Sequence, residues 1–132
     1  MKQAFSPLRR SILDVVEQSR APLSAHDIFQ SIGETTAFST VYRALWFLEE
    51  QEKIDGFFLS CSECGTERYY ISRSLGHVHF FHCENCHSFI NIGECFFEPV
   101  RASLEKKYRF SVKHHSFHLS GICSDCRRNL HD

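Results

Sequence analysis

The chain has 132 residues, a net charge of −1 at neutral pH and 42% hydrophobic residues, enough for one ordinary domain or two very small ones with a modest core. Met1 opens no signal-peptide pattern and no apolar run approaches the roughly 20 residues of a membrane span, so a cytoplasmic protein with no membrane partner is expected. Residues 1–60 carry six Lys/Arg against eight Asp/Glu, which excludes a nucleic-acid binder that relies on bulk basicity; any such contact must come from locally placed cations.

The first half has helical grammar. Ser6-Pro7 offers an N-cap followed by proline at the first helical position, and Leu8, Ile12, Val15 and Val16 then recur at helical spacing. Pro22 breaks the chain, and Ser24 can cap a second short helix holding Ile28, Phe29 and Ile32, with Gly33 as its stop. A third helix is predicted from near Ser39 to about Gln51, with Val41, Leu45 and Leu48 inward. Ile54 to Ser60 and Glu67 to Ser72 read as a hairpin around Cys61-Ser62-Glu63-Cys64-Gly65. Three helices and a two-stranded ribbon is the order of a winged helix-turn-helix, although a plain three-helix bundle shares the pattern.

Beyond about residue 73 the pattern changes, so domains of 1–73 and 74–132 are expected. His77 to His82 and Ser88 to Ile92 read as strands around a cysteine knuckle. Glu98-Pro99 starts a helix through about Tyr108 with Val100 and Leu104 inward, and Phe110 to Leu119 reads as a further strand. The predicted class is α+β: an N-terminal winged helix followed by a small α/β unit.

Seven cysteines would suggest disulfides in a secreted chain, but in a reducing compartment they point to metal or redox chemistry. Cys83-x-x-Cys86 and Cys123-x-x-Cys126 supply four thiolates, the donor set of a closed tetrahedral zinc site, across 36 intervening residues. A pair of unrelated redox or buried cysteines is the plainer alternative. Cys61-x-x-Cys64 has a knuckle's shape without evident partners, and Cys95 reads as a spare buried thiol. His77 and His79, at i and i+2 of a strand, share one face, whereas His82 falls on the other. With Glu98 at a helix start and His115 on a facing strand they offer three imidazoles and a carboxylate, a set that suits Zn2+, Fe2+ or Mn2+.

Ser24-Ala25-x-x-Ile28, Ser39-Thr40-Val41-Tyr42-Arg43-Ala44-Leu45, Arg68-Tyr69, His77-x-His79, Cys83-x-x-Cys86 and Gly121-x-Cys123-x-x-Cys126 occur in that order. With these motifs the chain resembles the ferric uptake regulator (Fur) superfamily over roughly residues 6–128. The run from Ser39 to Gln51 is most similar to its zinc uptake regulator (Zur) branch. The resemblance implies a metal-dependent repressor of metal uptake and homeostasis genes. Its C-terminal domain would make a homodimer, and its ligand would be double-stranded palindromic operator DNA. On the same ground Cys83, Cys86, Cys123 and Cys126 would hold structural Zn2+, and His77, His79, Glu98 and His115 a second, regulatory divalent metal. Ser39, Thr40, Tyr42 and Arg43 would belong to the DNA-binding helix; the alternative for Tyr42 is a core aromatic.

The chain also departs from the family. The hinge sensing ligands of many members would fall at Pro22, Val78, Phe80 and Tyr70 or Ser72, none of which ligates a metal. Either the regulatory role sits with His77, His79, Glu98 and His115, or Cys61 and Cys64 replace the hinge site, or the register around Phe80-Phe81-His82 is shifted. An iron- or peroxide-responsive regulator of the same superfamily is the nearest alternative, and a structural zinc module that binds protein is an alternative of another class. No enzyme and no small-molecule substrate are expected. His82-x-Glu84 with Cys123-x-x-Cys126 superficially resembles a zinc deaminase signature, but Ile122 stands where that signature needs proline. Four thiolates would also leave no open position for an activated water.

Overall fold

The structure, a computed structural model, describes residues 5–33, 36–61, 65–93 and 95–130. The chain divides into two compact units between Gly76 and His77, a few residues after the expected division. No helix among the described residues is long and apolar enough to cross a membrane.

In the first unit, helix α1 spans Pro7–Gln18, with Ser6 Oγ accepting from Arg9 N at 3.2 Å and Pro7 in the first turn. Leu23–Ser24 forms the short strand β1, and α2 spans Ala25–Ser31. Ser24 both ends β1 and caps α2 reciprocally: its Oγ accepts from Asp27 N at 3.1 Å and its own N–H donates to Asp27 Oδ2 at 3.0 Å. Helix α3 spans Phe38–Glu50, starting one residue before Ser39; Ala37 precedes it and offers no side-chain cap. Strands β2 (Ile54–Cys61) and β3 (Gly65–Ser72) pair antiparallel, and β1 adds to the other edge of β3. The sheet order is β1-β3-β2.

The core of this unit is Ile12, Val16, Ile28, Val41, Leu45, Leu48, Ile54 and Tyr70, with Ala25 and Ala44 where elements approach closely. Each fully buried branched side chain contributes about 1.5–3 kcal/mol by leaving water. One face of α3 supplies four of the core residues, so the opposite face is left to solvent, and the ribbon beside it makes the unit a winged helix.

The second unit contains β4 (Phe80–Cys83), β5 (Phe89–Asn91), α4 (Glu98–Tyr108), β6 (Leu119–Gly121) and α5 (Ser124–Leu130). β5 is antiparallel to β4 and β6 is parallel to it, in the order β5-β4-β6. The strands expected over 77–82 and 110–119 shrink to these short segments. Residues 109–118 hold no regular strand, and Val112 N donates to the Glu105 carboxylate at 2.8 Å instead of to a ladder. Val100, expected inward, is 48% exposed, and α4 contributes no buried residue in the isolated chain.

Candidate metal centres and the exposed helix face

The parallel pair β4/β6 explains how distant cysteines meet. Its register puts Cys83 opposite Gly121, and each strand runs straight into a cysteine knuckle. Parallel strands end on the same side, so both knuckles fall together. Glu84 N donates to Gly121 O at 2.8 Å and locks one turn to the other. Within the first knuckle, His87 takes a left-handed φ of 63°, which returns the chain so that Cys83 N reaches Ser88 O at 3.0 Å.

The ligand atoms of Cys83, Cys86, Cys123 and Cys126 all lie within 4.8 Å of one another. Thiolates about 2.3 Å from a tetrahedral ion stand about 3.8 Å apart, and Cys86 Sγ lies 3.8 Å from Cys123 Sγ. Backbone N–H groups of Cys123 and Cys86 point at Cys83 Sγ at 3.4 and 3.5 Å. They pull its thiol below the ordinary thiol range, toward the thiolate form that a metal binds. Three of the four cysteines are buried. The donor set and spacing fit zinc.

The same strand pair builds the second cluster at its opposite end. Continuing the β4/β6 offset back along the chain sets His77 against His115 and His79 against Phe117. His77 Nε2 is 2.8 Å from His115 Nε2 and 3.0 Å from His79 Nε2. His79 Nδ1 donates to the Phe117 carbonyl at 3.1 Å, which fixes its tautomer and leaves a lone pair on Nε2. Burial lowers the pKa of His79 and keeps the ring neutral. One N–H on His77 could satisfy only one of the two ring nitrogens facing it, so the cluster is an arrangement of lone pairs converging on a point. Nitrogens about 2.0–2.1 Å from a tetrahedral ion stand about 3.3 Å apart, so the rings need open by only about 0.3–0.5 Å to admit one. The Phe117 ring stacks on His79 at 3.8 Å and Phe97 lies 4.4 Å from His115, walling the site with apolar surface.

Of the expected set, the structure brings His77, His79 and His115 together but seats Cys95 Sγ with them, 3.2 Å from His115 Nε2. Cys95 is half-buried beside the rings, not the isolated core thiol that its sequence position suggested. Glu98 lines the same cavity of about 540 Å³. Both of its oxygens, however, accept from Arg101, at 2.7–3.1 Å. That bonding holds the Glu98 carboxyl below its usual range. No spacing signal could have found Cys95, because it reaches the cluster through the turn that precedes α4.

The hinge positions are filled by structure. Pro22 and Phe80 are buried. Ser72 bonds Ser74. Tyr70 lies in the first core with its phenol pushed up to about 12, chiefly by burial. Cys61 is buried at the end of β2 and joins neither cluster among the described residues, while Cys64 lies outside them.

On α3, Ser39, Tyr42 and Arg43 are exposed and Thr40 is half-buried. Tyr42 is 44% exposed and meets Phe38 edge-on at 5.0 Å, so it is not a core aromatic. Trp46, one turn further on and 65% exposed, extends the same face; its i+4 spacing from Tyr42 was the available signal.

A winged helix joined to a cysteine- and histidine-rich α+β unit is the architecture of a metal-responsive DNA-binding transcription regulator. The profile of the ferric uptake regulator family matches residues 3–120, and the chain belongs to that family. It is 30% identical to the ferric uptake regulation protein of Bacillus subtilis over 129 residues, covering 92% of this chain and 84% of that one. It is 29% identical to the zinc uptake regulation protein of Mycobacterium tuberculosis over 117 residues, covering 89% and 87%. The Helicobacter pylori ferric uptake regulator, whose structure reveals three functional metal-binding sites, superposes with a TM-score of 0.78 at 28% identity, over 94% of this chain and 82% of that one. A zinc uptake regulator complexed with zinc and DNA shares the fold at a TM-score of 0.65 and 21% identity, over 98% and 87%.

Proposed function

We propose that this chain is a homodimeric repressor that senses zinc and, when loaded, binds a palindromic operator of metal-uptake genes. The observation that carries the reading is the convergence of His77, His79 and His115 in a chain that also holds a Cys83/Cys86/Cys123/Cys126 zinc set. The four-thiolate set is closed and serves structure; the imidazole cluster is easier to empty and serves sensing. Zinc bound at the imidazoles would tie the start of β4 to the segment before β6. The exposed α3 face with Tyr42 and Arg43 suits a major groove, where Tyr42 can pack on a thymine methyl and Arg43 can bond a base edge.

A second copy of the chain is the natural cover for the second unit. α4 buries nothing, and Phe96, Val100, Tyr108, Phe110 and Leu119 are exposed in the isolated chain. A dimer would present two α3 helices to two half-sites. The similarity to an iron-named relative supports an iron-responsive alternative, and one experiment separates the two. A site would be selected from randomised DNA, and binding then measured by anisotropy with zinc, ferrous iron or manganese on protein holding only its structural metal. Stimulation at the lowest free concentration by zinc is the expected result; stimulation by iron alone would assign the chain to iron.

A further inference from the structure

The carboxylate nearest the three imidazoles is not free to serve them. Glu98 gives both oxygens to Arg101, which also donates to Glu105 at 2.7 Å, and Glu105 in turn accepts from Val112 N. Using Glu98 as a ligand would break that chain of bonds. Cys95 needs no such rearrangement: its Sγ already lies within 4.8 Å of the ligand nitrogens of His77, His79 and His115. It has no disulfide, and it sits three residues before the start of α4.

We propose that Cys95 is the fourth ligand of this site, making it a three-imidazole, one-thiolate centre that selects zinc over manganese and ferrous iron. The inference rests on the reading that the imidazole cluster holds a metal, and adds the donor that sets which metal. Replacing a hard carboxylate oxygen by a soft thiolate weakens the claim of Mn2+ and strengthens that of Zn2+. Three neutral rings and one thiolate also leave the loaded site with a single positive charge, beside the Glu98 carboxylate. That charge gives Glu98 and its Arg101 partner an orienting role in the wall of the site without any bond to the ion.

The full-length protein, with zinc held in its four-cysteine site, would be titrated with cobalt(II) and followed by absorption. Zinc outranks cobalt for the four-cysteine site, so cobalt reports on the second. Tetrahedral d–d bands together with a thiolate-to-cobalt charge-transfer band are expected. Cys95→Ser should lose the charge-transfer band and weaken zinc at this site by on the order of tenfold or more, whereas Glu98→Gln should keep both. Cys95→Asp should narrow the preference for zinc over manganese. Cobalt uptake without a charge-transfer band, or a band that survives Cys95→Ser, would overturn the ligand assignment alone. No uptake beyond the four-cysteine site would overturn the imidazole site with it. A Glu98→Gln protein that loses the metal while Cys95→Ser keeps it would return the fourth position to the carboxylate.

Discussion

His79 carries more of the second site than either neighbour. It is buried, its Nδ1–H is spent on the Phe117 carbonyl, and its ring is stacked on Phe117, so Nε2 is held ready without rotamer loss. Removing it should abolish metal-stimulated DNA binding while leaving the four-cysteine zinc in place. If loading favours the DNA-competent state a hundredfold, the lost coupling is about 2.7 kcal/mol. Metal content and DNA affinity measured together on His79→Ala check this; a variant that still responds to metal, while Cys61→Ser with Cys64→Ser does not, would move the sensing site to those cysteines. Arg43 is the corresponding residue on α3, and Arg43→Ala should cost about 1–3 kcal/mol per half-site if it reads a base. Wild-type affinity in an anisotropy titration would show another surface faces the DNA. The cysteine knuckles were legible in the sequence because each is a local i, i+3 pair, and His77-x-His79 is more local still. Cys95 was not, since its partnership depends on the β4/β6 register and on where α4 begins.

At the scale of elements, a side-chain clamp adds to the shared apolar core in joining the wing to α3. Arg68 on β3 donates from Nε to Glu49 Oε1 at 3.1 Å and from a terminal nitrogen to Oε2 at 2.6 Å. Gly56, opposite Tyr70 on β2, leaves the space in which the guanidinium lies: a Cβ there would stand 2.7–2.8 Å from it. With both partners about a quarter exposed, the pair is worth about 1 kcal/mol, near the upper end for solvent-accessible ion pairs. Gly56→Ala should therefore lose about 1 kcal/mol by pushing Arg68 off Glu49 and regain about 0.5–1 kcal/mol from the better strand residue, leaving the wild type level or destabilised by up to about 0.5 kcal/mol. In an Arg68→Ala background the same change should stabilise by about 0.5–1 kcal/mol, because alanine suits a strand better than glycine. Thermal denaturation of the four proteins reads the difference between the two backgrounds, expected near about 1 kcal/mol; an equal effect in both would show the clamp is not what Gly56 accommodates. The elements of this half were legible because caps and apolar periodicity agree: Ser6, Ser24 and the Val41/Leu45/Leu48 stripe all lie where their chemistry places them. The overreach came at 110–119, whose aromatic and β-branched residues look like a strand. β4 is only four residues long and offers a partner for only three, so the rest of that segment has no ladder to join.

The two units draw their stability from different sources. The first has a branched apolar core shared by α1, α2, α3 and the sheet. The second has as its buried cluster Cys83, Cys123 and Cys126 with Phe81 and Ile122 against them, three of the four proposed zinc ligands. Apolar burial on that scale does not offset the chain entropy of a unit this small, whereas structural zinc contributes on the order of 10 kcal/mol. The strand pair β4/β6 also runs from the cysteine cluster at one end to the histidine cluster at the other, roughly 13 Å apart at 3.3 Å per residue between His79 and Cys83. Dependence should therefore be one-way. Cys123→Ser, or zinc removal by a strong chelator, should unfold the second unit and abolish binding at the imidazole site, with α1 and α3 still folded. His79→Ala should leave the four-cysteine zinc and the second unit in place. Peptide-resolved hydrogen exchange on the full chain separates these outcomes. Segments 80–91 and 119–130 should lose protection on zinc removal while segments 7–18 and 38–50 retain theirs. Protection lost evenly along the chain would mean that the first unit does not stand on its own core. Protection kept everywhere would mean that the thiolates are not the core of the second.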